Sequence, residues 1–202
     1  MKISRLTSHR SYSFLRESGF TLIELLVVIT ILGILMGMAV GGTSAIKEQS
    51  KMTQAKNDCM GMVIAIKAFY ADYSRYPVPA AKQDDVPYEA GESNKPVLDI
   101  ITAKNDEINP RKVSYYEPKA RKTDSEGHSS GGGLDNNTGD MYDPWGTTFG
   151  IIVDGDYDSN LTYAGAGMKD LKETEKAVVG GVGVYSLGNP KKTERKPVLS
   201  WQ

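Results

Sequence analysis

The pattern of apolar and polar positions divides this chain at one place. From Leu25 to Ile46 there is no charged residue, whereas almost everything after Lys47 is polar enough for water. A helix over that run measures roughly 33 Å at about 1.5 Å per residue, which is enough to span a bilayer. The pattern predicts one membrane or filament-core helix over residues 20–46, followed by one globular domain over residues 47–202.

A second apolar pattern continues beyond the first. Apolar residues recur at alternating steps of three and four, which places them on one face of an amphipathic helix: Met52, Ala55, Cys59, Met62, Ile66, Phe69 and Tyr73. We therefore expect a single long helix over residues 20–73, which ends before Pro77 because proline forbids its continuation. The second half of this helix should carry a sheet on its apolar stripe.

The rest of the domain has two parts. Residues 74–140 are rich in proline and glycine and form a variable segment, in which Asn94 and "KPVLDIITA" predict a capped short helix and "RKVSYYEP" predicts a strand. In residues 141–202, "DPWG" fits a type I turn. There, "TTFGIIVD" and "LTYAG" flank the polar turn "GDYDSN", and "AVVGGVGVYSLG" adds another apolar run. The predicted fold is α+β, with the long helix packed on an antiparallel sheet of about three strands.

Composition and charge narrow the possible functions. The 202 residues carry a formal net charge of -1, which implies no nucleic-acid partner. Cys59 is the single cysteine, so no intrachain disulfide can form. The charged residues before the apolar run are mostly basic, namely Lys2, Arg5, Arg10 and Arg16 against Glu17. Such a flank stays cytoplasmic and predicts that the globular domain lies outside the cytoplasmic membrane.

Glu24 is the unexpected residue of the apolar run. An ionised carboxylate at the edge of a bilayer core costs several kcal/mol unless a partner meets it. The small residue Gly19 comes before the apolar run rather than after it, which is the wrong order for an ordinary secretory signal. An ordinary signal anchor with a stray glutamate is the alternative interpretation.

Gly19 followed by Phe20, Thr21, Leu22, Ile23 and Glu24 resembles the start of the type IV pilin and type II secretion pseudopilin superfamily, and this resemblance implies a pilin-like fold. The resemblance implies that residues 1–19 are a leader peptide. A membrane prepilin peptidase would cleave it between Gly19 and Phe20 and methylate the new amine of Phe20. The resemblance also implies that Glu24 pairs with the N-terminal amine of a neighbouring subunit in a filament.

Four further landmarks resemble the major pseudopilins of type II secretion: "AFYADYSRYP", "DPWG", "VYSLG" and the late tryptophan Trp201. This resemblance implies a structural subunit that spans the inner membrane before assembly and then joins a periplasmic pseudopilus that drives export of folded proteins. Its partners would be further copies of itself, minor pseudopilins, an inner-membrane assembly platform and the prepilin peptidase. A type IV pilin or competence pseudopilin, serving adhesion, motility or DNA uptake, is the alternative.

Few residues favour an enzyme. His128 stands alone in a glycine-rich stretch, and the acidic cluster Asp154, Asp156 and Asp158 lies on a predicted turn, where aspartates are common for backbone reasons. We therefore expect no catalytic site and no cofactor. The three aspartates have the alternating spacing of a calcium loop, but Ser159 stands where such loops need glycine.

The C-terminal tail departs from the family. In pseudopilins, the loop after the "SLG" landmark typically holds calcium through acidic side chains. Here "NPKKTERKPVLSWQ" follows, with Glu194 as its one carboxylate side chain. We expect no calcium at this loop and expect Pro190, Pro197 and burial of Trp201 to hold the tail. The basic stretch predicts a solvated end, with binding to an anionic surface as the alternative.

Overall fold

The structure is a computed structural model that describes residues 19–40, 43–78, 84–161 and 178–201. The predicted leader peptide, apart from Gly19, lies outside these ranges. The described residues fall into two units, divided between Ser44 and Ala45. Helices are described on both sides of Gly41 and Gly42, which lie outside the described residues, so a single helix over residues 20–73 stays a prediction.

The first unit contains helix α1, Leu22–Val40. Its sequence is apolar apart from Glu24, Thr30 and two glycines, and every side chain described in it is exposed. Within the described ranges, no helix meets both the length and the apolarity that crossing a membrane requires.

Helix α2, Thr43–Tyr73, forms the spine of the second unit. Five residues of the predicted stripe are fully buried, namely Ala55, Cys59, Met62, Ile66 and Phe69, and Met52 and Tyr73 are half-buried. The predicted end of the helix is confirmed. Ser74 has φ 52°, which breaks the helical path, and its backbone N–H donates to the Tyr70 carbonyl at 2.7 Å.

Short elements fill the variable segment: strand β1 (Val86–Tyr88), helix α3 (Lys95–Ile101), and strands β2 (Lys122–Thr123), β3 (Ser129–Ser130) and β4 (Gly133–Leu134). The remainder contributes β5 (Met141–Tyr142), β6 (Gly150–Val153), β7 (Asn160–Leu161), β8 (Val178–Val179), β9 (Val182–Ser186) and β10 (Val198–Leu199). The main sheet is antiparallel, with strand order β1-β6-β9-β10. Strands β2 and β3, β4 and β5, and β7 and β8 form three two-stranded ladders.

The main sheet has one face on α2 and the other on a smaller cluster. Side chains alternate along each strand, so Ile151 and Val184 join the core that contains the α2 stripe. Ile152 and Tyr185 point to the opposite face, where they pack with Leu199 and other residues and with the half-buried Trp201. The predicted α+β class, with a helix on an antiparallel sheet, is confirmed.

Two strand predictions need correction. The main sheet has four strands rather than about three, because β1 from the variable segment joins β6 and the tail strand β10 joins β9. Leu161, the one residue of "LTYAG" that the structure describes, does not pair with "TTFGIIVD". Instead, β6 pairs with β9, and β7 pairs with β8 in a separate ladder.

The predicted strand "RKVSYYEP" is also absent, since the structure assigns no ladder to residues 111–118. The backbone N–H groups of Tyr115 and Tyr116 both donate to the Ile101 carbonyl, at 2.8 and 3.2 Å. This stretch is therefore held at the end of α3 rather than in a sheet. Its two aromatic rings, not its backbone, pack against the core.

Helix α3 confirms the predicted short helix, but the Asn94 side chain does not cap it. The Asn94 side chain donates to the carbonyls of Met141 and Phe149, both at 3.0 Å, and accepts from the Met141 N–H at 2.9 Å. The cap comes from Asp140, whose Oδ1 accepts from the backbone N–H groups of Asn94 and Lys95, each at 3.1 Å. Asn94 therefore stabilises the segment that carries Asp140, and Asp140 caps the helix.

Candidate assembly site

The first turn of α1 is closed by a reciprocal pair of hydrogen bonds. Glu24 Oε2 accepts from the backbone N–H of Thr21 at 2.9 Å and from Thr21 Oγ1 at 2.7 Å. In return, the Glu24 N–H donates to Thr21 Oγ1 at 3.3 Å. This is a capping box, in which the residue before the helix and the third residue within it satisfy each other's backbone donors.

The same carboxylate lies on an apolar helix face. Phe20, Ile23, Val27 and Val28 share the face of Glu24, because residues three and four apart are neighbours on a helix. All of them are exposed, with 79% of Phe20 and 69% of Ile23 accessible. Glu24 Oε1 accepts no hydrogen bond from any residue that the structure describes. One carboxylate oxygen on an exposed apolar face is therefore available to a donor from another molecule.

Gly19 is not required by the conformation of this chain. A Cβ placed there would meet nothing within 4 Å, and its φ lies outside the left-handed range that favours glycine. The fold would thus accept other residues at this position. The roles of Gly19 and Phe20 in processing remain predictions from the sequence.

Sequence reasoning identified Glu24 by its charge but missed its bond to Thr21. The signal was present, because threonine followed three residues later by glutamate, just before an apolar run, is the sequence pattern of a capping box. Glu24 therefore has two separable properties. Its shape and acceptor atoms close the first turn, and its negative charge remains on the helix face.

Two landmarks of the sequence meet in the second unit. The predicted turn "DPWG" is confirmed by the bond from the Gly146 N–H to the Asp143 carbonyl at 3.0 Å. Asp143 Oδ1 also accepts from the backbone N–H of Trp145, and its Oδ2 accepts from Ser186 Oγ of the "VYSLG" landmark at 2.6 Å. Burial raises the pKa of Asp143, while these hydrogen bonds lower it in part. A buried carboxylate thus joins the turn to the end of β9.

The candidate metal residues lie only partly together. Carboxylate oxygens of Asp85, Asp154 and Asp156 lie within 4.8 Å of one another, and Asp158 is not in this group. Asp154 already accepts from the Tyr157 N–H at 2.6 Å and the Ser159 N–H at 3.0 Å, one bond to each oxygen. Burial raises the pKa of Asp154, because the ionised carboxylate is less stable there than in water. The described geometry is that of a hydrogen-bonded turn.

The loop after Gly188 is held against α2. Both carboxylate oxygens of Glu48 on α2 lie 3.2 Å from Asn189 Nδ2, and Glu48 also accepts from Trp145 Nε1 at 3.4 Å. Lys192 Nζ lies 3.6 Å from the same carboxylate. Burial alone would raise the pKa of Glu48, but these hydrogen bonds and the lysine charge outweigh it and hold the pKa below its usual value. A lysine therefore lies beside the carboxylate that contacts this loop, and the absence of calcium there stays a prediction.

Comparisons with known proteins concern the N-terminal part of the chain. A family model described as "Prokaryotic N-terminal methylation motif" matches residues 15–40. Type II secretion system core protein G of Pseudomonas aeruginosa is 40% identical over 62 residues, which are 31% of this chain and 44% of that protein. Type IV major pilin protein PilA of Myxococcus xanthus is 38% identical over 61 residues, which are 30% of this chain and 28% of that protein. Fimbrial protein EcpC of Eikenella corrodens is 37% identical over 65 residues, or 32% of this chain and 42% of that protein.

The chain spans less than half the length of each of these relatives, and no solved structure matches it significantly. The similarity coincides with the prepilin motif and includes the residues of the capping box. The N-terminal segment of this chain is therefore a prepilin-type segment, of the kind that type II secretion pseudopilins and type IV pilins share.

Proposed function

We propose that this chain is a structural subunit of a type II secretion pseudopilus, which polymerises through its N-terminal helix to drive export of folded proteins. The observation that carries the proposal is α1, a helix with an exposed apolar surface and a single carboxylate near its start. An apolar helix of this kind must be surrounded by lipid or by other helices. During filament assembly it leaves the bilayer and packs against the helices of other subunits. The second unit has the helix-on-sheet arrangement of a pilin-like domain.

Processing and location follow from the same proposal. Residues 1–19 are the leader, cut between Gly19 and Phe20, and residues 20–46 span the inner membrane before assembly. Residues 47–202 then lie in the periplasm, where the filament forms with minor pseudopilins on an inner-membrane platform. The similarity to core protein G supports this assignment, and no catalytic role is required of the chain.

In the assembled filament, the charge of Glu24 pairs with the N-terminal amine of a neighbouring Phe20. The free Oε1 and the surrounding apolar face support this pairing, because a carboxylate in low dielectric is tolerated when a fixed cation meets it. The capping box contributes by holding the carboxylate in a defined position before the partner arrives.

A type IV pilin is the second candidate, since two relatives are named as a pilin and a fimbrial protein. The two candidates differ in what loss of the gene removes. A pseudopilin mutant fails to secrete exoproteins, whereas a pilin mutant loses surface filaments and the adhesion, motility or DNA uptake that depends on them. Measuring both phenotypes in one deletion strain separates them.

Glu24→Gln is the most informative variant for assembly. Glutamine can replace glutamate in a capping box, so the first turn should persist while the charge is lost. We expect normal processing, shown by mass spectrometry of the N-terminus, but a fall of at least about tenfold in subunits recovered in filaments released from lysed cells, the equivalent of ~1.4 kcal/mol.

Thr21→Ala is the matched control. It removes the hydroxyl that accepts from the Glu24 N–H but keeps the charge, so assembly should be reduced far less than in Glu24→Gln. Equal loss in both variants would assign the effect to the helix cap. Filament yield unchanged in Glu24→Gln would refute the charge pairing.

A further inference from the structure

The C-terminal tail is held against α2 by side-chain contacts. Glu48, in the second turn of α2, binds Asn189 and Lys192 of the loop that follows β9. The tail then returns as β10, and Lys56 Nζ of α2 donates to the Leu199 carbonyl at 2.5 Å. The basic stretch of the tail is thereby fixed beside the beginning of α2.

This arrangement gathers positive charge in one place. We call the following six residues the basic collar: Lys47, Lys51, Lys191, Lys192, Arg195 and Lys196. All are exposed, and Lys47, Lys51, Lys191 and Lys196 form no ion pair with any residue in the described ranges. The neighbouring carboxylates are Glu48 and Glu194. Because the whole chain has a net charge of -1, the collar is a local excess of cations rather than part of a basic protein.

The chain itself limits how far the collar can be from the apolar segment. Lys47 comes seven residues after Val40, the last residue of α1. The proposed function places residues 20–46 in the bilayer, and Lys47 is the next residue along the chain. The collar therefore begins where the proposed membrane segment ends.

We propose that the basic collar binds anionic phospholipid headgroups at the outer surface of the cytoplasmic membrane before the subunit enters a filament. The proposal rests on the membrane anchoring in the proposed function. Each lysine or arginine near an anionic surface strengthens binding by about fivefold. Several together therefore keep the domain bound to the surface for most of the time. Lipid phosphates supply negative partners for Lys47, Lys51, Lys191 and Lys196, which form no ion pair with the described residues.

The collar gives the subunit a salt-dependent resting position at the membrane. Filament assembly must break these contacts as it draws the domain away from the surface. An acidic surface of a partner protein or a nucleic acid would also attract cations, but only lipid surrounds the proposed membrane segment that Lys47 follows in the chain.

Photo-crosslinking of the full chain in vesicles tests the proposal. A photoreactive amino acid is placed at Thr193, an exposed uncharged residue within the collar, or at Thr123, an exposed uncharged residue in β2. The vesicles contain phosphatidylcholine alone or equal parts of phosphatidylcholine and phosphatidylglycerol. We expect adducts with phosphatidylglycerol at Thr193, several times more frequent than its share of the lipid, and none above background at Thr123. The preference should disappear at ~1 M salt, where the screening length falls to about 3 Å.

Two triple variants provide the matched comparison. Replacing Lys47, Lys191 and Lys196 by glutamine should reduce the phosphatidylglycerol adducts at Thr193 at least about tenfold, since each cation contributes about fivefold. Replacing Lys67, Lys104 and Lys122, which are exposed lysines elsewhere, should leave them unchanged. Both sets leave the contact between Lys192 and Glu48 in place.

Insertion of the chain is measured separately, by flotation of the vesicles and resistance to alkaline extraction. A chain that does not insert would overturn the proposed function together with this inference. A chain that inserts but gives adducts in proportion to lipid composition, or none at Thr193, would overturn the inference alone. Displacement of the lipid adducts by added duplex DNA at physiological salt would assign the collar to nucleic acid instead.

Discussion

Ser186 Oγ donates a hydrogen bond to Asp143 Oδ2 at 2.6 Å, and both residues are completely buried. This contact joins the turn that precedes β6 to the end of β9, an interior strand of the main sheet. A hydrogen bond to a buried charged group contributes more than one between neutral groups, because the carboxylate has lost its water.

Ser186→Ala should therefore reduce the free energy of unfolding by about 2 kcal/mol. Unfolding of the full chain by urea in a mild detergent, followed by the fluorescence of its two tryptophans, measures the change. Ser125→Ala, at an exposed position, should stay within about 0.5 kcal/mol of the parent chain. A loss equally small for Ser186→Ala would mean that water or another donor replaces the hydroxyl.

Gly19→Ala should abolish processing without disturbing the fold. The added methyl group meets nothing within 4 Å in this chain, so any effect must come from the peptidase that has to accommodate the backbone before Phe20. We expect the unprocessed precursor to accumulate, as measured by the mass of the intact chain.

Gly33→Ala is the control for that experiment, because its added methyl group also meets nothing within 4 Å but lies within α1. This variant should be processed normally. Mature chains that begin at Phe20 in Gly19→Ala would contradict the assignment of the cleavage site, and cleavage after a later small residue would indicate an ordinary signal peptide.

Local periodicity made much of the fold predictable. Cys59, Met62, Ile66 and Phe69 are buried as their spacing indicates, since a helix on a sheet must bury one face. The turn at Asp143 and the helix after Asn94 follow from residue preferences within a few positions. The capping box at Thr21 and Glu24 is equally local and was open to prediction from the same kind of pattern.

Contacts between distant segments were not predictable in the same way. The cap of α3 comes from Asp140, 45 residues after the Lys95 N–H that it accepts from. Strand β1 has only three residues, one of them a proline, so its sequence alone does not predict a strand. It forms because its backbone pairs with the edge of β6. The hydrogen bond between Glu48 and Asn189 joins residues 141 positions apart. The basic character of the tail could therefore be predicted from the sequence, but its contact with α2 could not.

The tail contacts of Glu48 predict that the domain is stable without calcium. Glu48→Ala should lower the free energy of unfolding by about 1–2 kcal/mol, since Asn189, Trp145 and Lys192 each lose a partner. Chelator and millimolar calcium should leave the unfolding midpoint of the parent chain unchanged. Calcium affinity measured by calorimetry that survives substitution of Asp154, Asp156 and Asp158 would show that the tail binds the metal after all.

Asp58 predicts how stability depends on pH. It lies on α2 with Oδ2 buried and without a hydrogen bond from the described residues, and this burial raises its pKa from the usual 3.8 to about 6, against the opposing effects of Gln54 and Lys119. The folded chain therefore holds the proton more tightly than the unfolded chain. Below about pH 4 both states are protonated and Asp58 contributes nothing. As the pH rises from about 4 to 6 the stability falls, and above 6 the full penalty remains.

Asp58→Asn removes this charge, so its unfolding free energy should exceed that of the parent chain by about 1 kcal/mol at pH 7, a value reduced for partial exposure of the carboxyl group. The difference between the two chains should shrink as the pH falls from 6 to 4, because the parent chain then becomes neutral at the same place. Asp158→Asn, at an exposed aspartate, should show no such trend. Subtracting paired unfolding curves cancels the contributions of Asp143 and Asp154, whose pKa values burial also raises. A difference that is constant across this range would show that Asp58 is ionised throughout and that its carboxylate has a partner in solution.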